Sequence, residues 1–449
     1  MYLSGKKVLI VGLAKSGIAS ARFLSDNSAL VTVTDIKGEG ELREEIARLD
    51  GLDIRYRLGE HTESDFEDSD LIVVSPGVPS DIAPLLLAKE KGVKVISEIE
   101  LAFRYLDIPI IAITGTNGKS TVTTLVGEII KRMEMNIFVG GNLGRPISEA
   151  IIKENRYDLI VAEVSSFQLE GIEEFRPYIG VILNITPDHM DRYMGMDEYT
   201  DAKLRIFMNQ DRDDYTVINA DDPISERLMS SSIRSRIVSF SREKTLEEGV
   251  YIEGDHIVSN LGGDTFPICK LDELKIRGLH NCENILAASA ISLLWGCDRD
   301  LVREAVLGFS SLEHRMEFVR EIKGVKFFND SKGTNVGAVI KSLSSFSEPI
   351  ILIAGGRDKG SDFKPLREIV SKKVKNLILI GEASAKMKDI LSDCSDIDMA
   401  DSLSDAVLRA SGYAKEGDIV LLSPACASFD MFRDFEERGR IFKDIVNGL

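Results

Sequence analysis

The stretch Ile108–Thr121, IPIIAITGTNGKST, decides how this chain is read. An apolar run to Thr114 predicts a buried strand, and Gly115-Thr116-Asn117-Gly118 predicts a tight turn. A helix follows, because Val122, Leu125, Val126, Ile129, Ile130 and Met133 fall on one apolar stripe. Small residues at the turn let several backbone N–H groups point into one concavity, where the helix dipole adds positive potential. Lys119 can then reach the outer phosphates of a nucleoside triphosphate, with Ser120 and Thr121 beside it, and the Ser120 hydroxyl can ligate Mg²⁺. The full Walker pattern would place a glycine at position 113, which is Ile113 here. An incidental Lys-Ser after a packing turn is the bland alternative. It leaves the coincidence of strand, glycine turn, Gly-Lys-Ser and amphipathic helix unexplained.

Working outward, Lys6–Val11 reads as a strand, Gly12–Gly17 as a turn, and Leu30–Thr34 as a strand ending in Asp35. Further apolar runs at 71–74 and 93–96 complete a small parallel sheet. Beyond the phosphate loop, strands are expected at 159–164 and 180–185, and a helix near Asn281. A third alternating unit has strands at 325–328, 350–354, 377–380 and 419–422. The predicted fold is α/β, with three domains in series. Residues 1–97 form a Rossmann-like domain, 98–309 a central P-loop ATPase-like domain with a parallel or mixed sheet, and 310–449 a C-terminal Rossmann-like domain.

The 449 residues carry a net charge of −18, which repels phosphate backbones and argues against nucleic-acid or anionic-membrane partners. Five scattered cysteines without a C-x-x-C pair argue against a disulfide framework or zinc site and fit a reducing compartment. No apolar run is long enough for a membrane span, and nothing reads as a signal peptide. The expectation is a cytoplasmic, monomeric enzyme acting on small molecules.

Gly12-Leu13-Ala14-Lys15-Ser16-Gly17 resembles the dinucleotide fingerprint, but Ala14 replaces the central glycine, where a methyl group obstructs pyrophosphate. A bare packing turn and a nucleotide site remain equally open there. Glu163 ends an apolar strand, and His189 follows the next one. Alone they read as a solvated strand end and a loop histidine; with the phosphate loop they read as Mg²⁺ ligands.

GTNGKST (115–121), EVSSFQLE (163–170), LNITPDHMDRY (183–193), HNCEN (280–284), HRMEF (314–318), NDSKGTN (329–335) and SPACASFDMF (423–432) together resemble the Mur ligase family across essentially the whole chain. These are ATP-dependent amide-forming enzymes of peptidoglycan precursor synthesis. GLAKSG, NDSKGTN and SPACASFDMF look most like the members that add D-glutamate to UDP-N-acetylmuramoyl-L-alanine. The resemblance implies phosphorylation of the UDP-sugar's carboxylate by ATP, then attack on the acyl phosphate by the D-glutamate amine.

Carried over by motif, Lys119 holds the ATP phosphates, Ser120 and Glu163 bind Mg²⁺, and His189 helps hold a second Mg²⁺. Lys203 matches a lysine that the family carbamylates, turning an ammonium into an anionic ligand; by itself it reads as a surface lysine. Asn281 and Asn284 match an adenine-binding pair, and Arg315 and Asp330 match residues that reach ATP, although Asp330 alone reads as a turn former. Lys332, Thr334, Lys359, Ser428 and Phe435 match a D-glutamate pocket. Asp35, Ser75 and Asn142 match UDP-sugar contacts, although Asn142 also reads as a turn residue between glycines. A nicotinamide oxidoreductase using the first domain would leave the phosphate loop unexplained. A catalytically silent binding protein would not need Lys119, Glu163, His189 and Lys203 together.

Overall fold

The computed structural model describes residues 2–449 except 153–155, 191, 230–232, 277 and 311; Asp191 of the LNITPDHMDRY run therefore lies outside the described residues. Three α/β domains follow one another, each built on its own sheet.

The first sheet has the order β3-β2-β1-β4-β5, from β1 (Lys7–Val11), β2 (Leu30–Asp35), β3 (Ile54–Leu58), β4 (Leu71–Val74) and β5 (Lys94–Ser97). All neighbours are parallel. Val8–Val11 is fully buried, as expected of a central parallel strand with both faces covered. β3 (IRYRL) is absent from the sequence expectation because it alternates apolar with charged residues at the sheet edge.

The second sheet is larger: β6 (Ile110–Thr114), β7 (Ile137–Gly141), β8 (Leu159–Glu163), β9 (Ile179–Ile182), β10 (Tyr215–Asn219), β11 (Arg236–Ser241), β12 (Gly249–Glu253), β13 (His256–Ser259) and β14 (Phe266–Lys270). Its order is β14-β13-β12-β11-β10-β9-β6-β8-β7, so the strand of the phosphate loop is central. β13 and β14 pair antiparallel, which makes this sheet mixed.

The third sheet comprises β15 (Glu317–Ile322), β16 (Val325–Asn329), β17 (Ile350–Gly355), β18 (Val374–Ile380), β19 (Asp396–Met399) and β20 (Ile419–Leu422), in the order β15-β16-β20-β17-β18-β19. Only β15 is antiparallel. Apolar clusters cover both of its faces, Leu352, Leu377 and Leu421 on one and Ile353, Ile378 and Val420 on the other.

The chain gathers into two compact units. One holds Met1–Ile185, Asp197–Leu271 and Asn284–Val306; the other holds Thr186–Met196, Asp272–Glu283 and Leu307–Leu449. None of the five cysteines is joined in a disulfide. Among the described residues, no helix is long and apolar enough to cross a membrane.

Candidate functional site

In the first unit, β6 delivers the chain into residues 115–118, and the helix Lys119–Lys131 leaves it. Gly115 and Gly118 sit at φ +148° and +89°, backbone that side-chain-bearing residues rarely adopt. A Cβ on Gly118 would lie 2.3 Å from Asn284 Oδ1, so the amide of Asn284 stands directly against the loop. Asn184, at the end of β9, clamps the turn from beneath. Its carbonyl accepts from Thr116 N (2.9 Å), its Oδ1 accepts from Asn117 N (2.9 Å), and its Nδ2 donates to Asn117 O (3.0 Å). The Thr116 hydroxyl meets Tyr199 OH at 3.1 Å. Sequence reasoning missed both Asn184 and Tyr199. Asn184 lay inside a quoted motif, but nothing local marks an asparagine as the clamp for a distant turn.

Lys119 Nζ donates to Gly115 O (2.9 Å) and Thr116 O (3.0 Å). Lys203 Nζ donates to the same Gly115 O (3.0 Å) and stands 4.7 Å from the centre of the Tyr199 ring. Lys203 is only 2 % exposed, in contrast to its plain reading as a surface lysine. A carbonyl oxygen, the Thr114 hydroxyl (3.5 Å) and a ring face help compensate an ammonium that burial would otherwise penalise.

Ser120 and Thr121 are buried at the start of the helix. Glu163 ends β8 at 3 % exposure, so the solvated-strand-end reading fails for it. Its Oε1 accepts from Asn142 Nδ2 (3.0 Å), and its backbone carbonyl accepts from Asn142 N (2.8 Å). Gly141 lies so close that a Cβ there would sit 2.2 Å from Glu163 O. Asn142, matched to the UDP-sugar, thus directly touches the candidate metal ligand. A buried hydroxyl and a buried carboxylate suit a hard cation such as Mg²⁺. His189 belongs to the second unit. It has φ +57°, its N–H donates to Asp188 Oδ1 (2.9 Å), and Asp188 Oδ2 accepts from Asn335 Nδ2 (3.0 Å).

At the N-terminal turn, the Asp35 carboxylate accepts from Leu13 N (2.8 Å) and Lys37 N (2.9 Å), and Ser75 Oγ donates to Gly12 O (2.9 Å). A Cβ on Gly17 would fall 2.1 Å from Gly12 O, so this glycine is demanded by close helix–turn packing. Asp35 and Ser75 therefore meet around one turn.

In the second unit, β16, β20 and β17 are neighbours, so the loops after them emerge at one sheet edge. Those loops carry Asp330, Lys332 and Thr334, then Ser428, then Lys359; Phe435 opens the helix Phe435–Gly448. Lys332 Nζ lies 5.0 Å from the centre of the Phe435 ring. Ser428 is buried, and its carbonyl accepts from Met431 N (3.1 Å) and Phe432 N (2.8 Å). Asp358, next to Lys359, pairs with Lys386 at 2.7 Å.

Asp330 is more than a turn former. It is buried, with Oδ2 accepting from the Ser342 and Ser423 hydroxyls (both 2.7 Å) and Oδ1 from Met316 N (3.3 Å). Burial pushes its carboxyl above the usual range, against the pull of the two serines. Arg315 lies between two positive-φ residues, His314 (+64°) and Met316 (+47°). The His314 ring meets Asn329 Nδ2 at 2.9 Å, and the His314 backbone N–H donates to Glu317 Oε2 (2.8 Å). Asn281 lines a cavity of about 440 Å³ with Met316, Phe318, Phe328 and Phe346. The neighbouring His280 is pushed down to about 4 by burial and by the Lys341 and Arg315 charges.

Three family models match the chain: the Mur ligase MurD-like N-terminal domain over residues 6–97, the Mur ligase middle domain over 113–292, and the Mur ligase glutamate ligase domain over 314–426. A UDP-N-acetylmuramoylalanine–D-glutamate ligase of Geotalea daltonii is 50 % identical over 449 residues, covering 100 % of this chain and 99 % of that one. Another with that name, from Thermoanaerobacter pseudethanolicus, is 47 % identical over 453 residues and 100 % of both chains. Among solved structures, a pseudomurein peptide ligase type C from Methanothermus fervidus superposes with a TM-score of 0.63 at 19 % identity, covering 99 % of this chain and all of that one. MurF from Acinetobacter baumannii also gives 0.63, at 14 % identity, covering 98 % and 93 %. These two likenesses concern the fold.

Proposed function

The chain belongs to the Mur ligase family, and from that premise we propose that it joins D-glutamate to UDP-N-acetylmuramoyl-L-alanine with hydrolysis of ATP to ADP and phosphate. The observation that carries the reading is the phosphate loop, where Lys119 and Lys203 converge on Gly115 O. The acceptor assignment draws on end-to-end identity with relatives named for D-glutamate.

The carboxylate of the UDP-sugar takes the γ-phosphoryl group, giving an acyl phosphate and ADP. The D-glutamate nitrogen then attacks the acyl carbon, loses a proton, and the tetrahedral intermediate expels phosphate. No protein nucleophile is required; the protein contributes position and charge. Backbone N–H groups of 115–121 and Lys119 would hold the phosphates. Ser120 and Glu163 would hold one Mg²⁺, and His189 with a carbamylated Lys203 a second. Bound there, Mg²⁺ would neutralise charge on the transferring phosphoryl group. Asn281, Asn284, Arg315 and Asp330 would hold the rest of the nucleotide, and the apolar wall beside Asn281 suits a flat base. Asp35, Ser75 and Asn142 would hold the UDP-sugar. Lys332 and Lys359, with Thr334, Ser428 and Phe435, would receive the two carboxylates of D-glutamate.

The test is phosphate release from ATP and Mg²⁺ with UDP-N-acetylmuramoyl-L-alanine, with and without D-glutamate, together with the product mass. Release requiring both substrates, with a product heavier by one glutamyl residue, supports the assignment. Release with a different amino acid would move the acceptor, and no release with any would sink the ligase reading.

A further inference from the structure

Arg438 has no role in the chemistry above, yet it is the largest fully buried side chain described, at 1 % exposure. Burying a guanidinium is costly, and carboxylates normally compensate it. Here its partners among the described residues are one hydroxyl and three carbonyls. Nε donates to Ser331 Oγ (3.0 Å), Nη2 to Ser331 O (2.8 Å) and Cys426 O (3.3 Å), and Nη1 to Cys426 O (3.3 Å) and Ala427 O (3.4 Å). Only arginine offers five donors in a rigid fork able to serve two loops together.

The partners are placed with consequence. Ser331 precedes Lys332, and Ala427 precedes Ser428. The Ser331 hydroxyl in turn donates a hydrogen bond to Phe435 O (2.8 Å). The third loop is tied in as well: Arg357 N donates to Ala427 O (2.9 Å), Ala427 N donates to Arg357 O (3.2 Å), and a Cβ on Gly356 would lie 3.3 Å from Arg438 Nη1. One side chain thus holds the backbones that present Lys332 and Ser428, and through Ser331 and Ala427 these are tied to Phe435 and Arg357. Burial pulls its guanidinium down to about 10, which leaves it charged at neutral pH.

We propose that Arg438 is the positioning residue of the amino-acid pocket: it sets the spacing of the 331–333 and 426–428 loops and places a buried positive charge behind a site for a dicarboxylate. The inference rests on the pocket reading given under the proposed function.

The experiment compares wild type, Arg438→Lys, Arg438→Met and Ser331→Ala as full chains, by KM for D-glutamate, ATP and UDP-sugar, by kcat, and by melting temperature. Arg438→Met should raise the D-glutamate KM about tenfold or more, with the other two KM values held within about twofold. Arg438→Lys, which keeps the charge and loses the fork, should fall between. An unchanged D-glutamate KM, or three KM values rising in parallel, overturns the proposal. If the Arg438 variants do not fold, Ser331→Ala decides, because it removes the Nε acceptor and the Phe435 link and leaves the guanidinium. A selective rise in D-glutamate KM supports the role, and none overturns it. Wild type is assayed first against a panel of amino acids. Should another acceptor be used, the D-glutamate reading fails by itself, and the same selectivity test runs on that acceptor's KM.

Discussion

Lys119 and Lys203, far apart in the sequence, donate to one carbonyl oxygen, that of Gly115, at 2.9 and 3.0 Å. Two ammonium groups sharing one acceptor repel each other, and the second is buried, where screening is weak. The two cationic side chains thus converge at the loop that the proposed function assigns to the ATP phosphates.

Lys119→Ala should lower kcat by about 10²–10³-fold, the usual cost of losing one preorganised charge donor at a transition state. Melting temperature should change much less than kcat, because both carbonyl acceptors of the side chain, Gly115 O and Thr116 O, lie in its own loop. Steady-state turnover near the wild-type value would remove Lys119 from the mechanism.

Carbamylation of Lys203 would replace repulsion toward Lys119 with attraction and supply an oxygen ligand for a divalent cation. Turnover should fall in carbon-dioxide-depleted buffer and return on adding bicarbonate. Intact mass should be heavier by one CO₂ in wild type and not in Lys203→Ala. Turnover indifferent to bicarbonate, with no such mass, would show that the unmodified lysine is the working form.

Asn184→Ala removes both side-chain bonds to Asn117. The clamp should be worth about 1–3 kcal/mol, since a backbone N–H and C=O lose their partners. A calorimetric melt should drop accordingly, and KM for ATP should rise more than KM for D-glutamate. Equal changes in both would mean that the clamp supports the fold at large and not the phosphate loop.

His280 gives a pH prediction with a definite sign. In the native chain, burial and the Lys341 and Arg315 charges hold it near a pKa of about 4. The unfolded chain binds its proton near the ordinary value of about 6.5, so it holds more protons than the native state between the two. Its contribution is full above about 6.5 and fades as pH falls toward 4, by up to about 3 kcal/mol. Denaturant melts across this window should show that slope, and His280→Gln should flatten it. An unchanged slope in the variant would assign the acid sensitivity to other groups.

Much of this molecule was legible in its sequence. The phosphate loop is a local device: a continuous apolar strand, two glycines where only glycine fits, and an amphipathic helix all lie within one short stretch. Central parallel strands read the same way, because burial on both faces leaves unbroken apolar runs such as Ile350–Gly355. Edge strands did not: Ile54–Leu58 and Asp396–Met399 each expose two residues and carry charges. At the Gly12 turn, the packing of Gly17 on Gly12 O and of the Asp35 carboxylate on Leu13 N is tertiary and has no local sign in the sequence.

The sequence by itself determined the class of fold and the phosphate loop, because both follow from short-range periodicity and backbone sterics. Tertiary structure alone decided that Lys203 is buried on Gly115 O, that Asn184 holds the turn, and that Arg438 joins the Ser331 and Cys426–Ala427 backbones. Those facts depend on which distant segments the sheet order makes neighbours, and a lysine, an asparagine and an arginine carry no local mark of the partners they will meet.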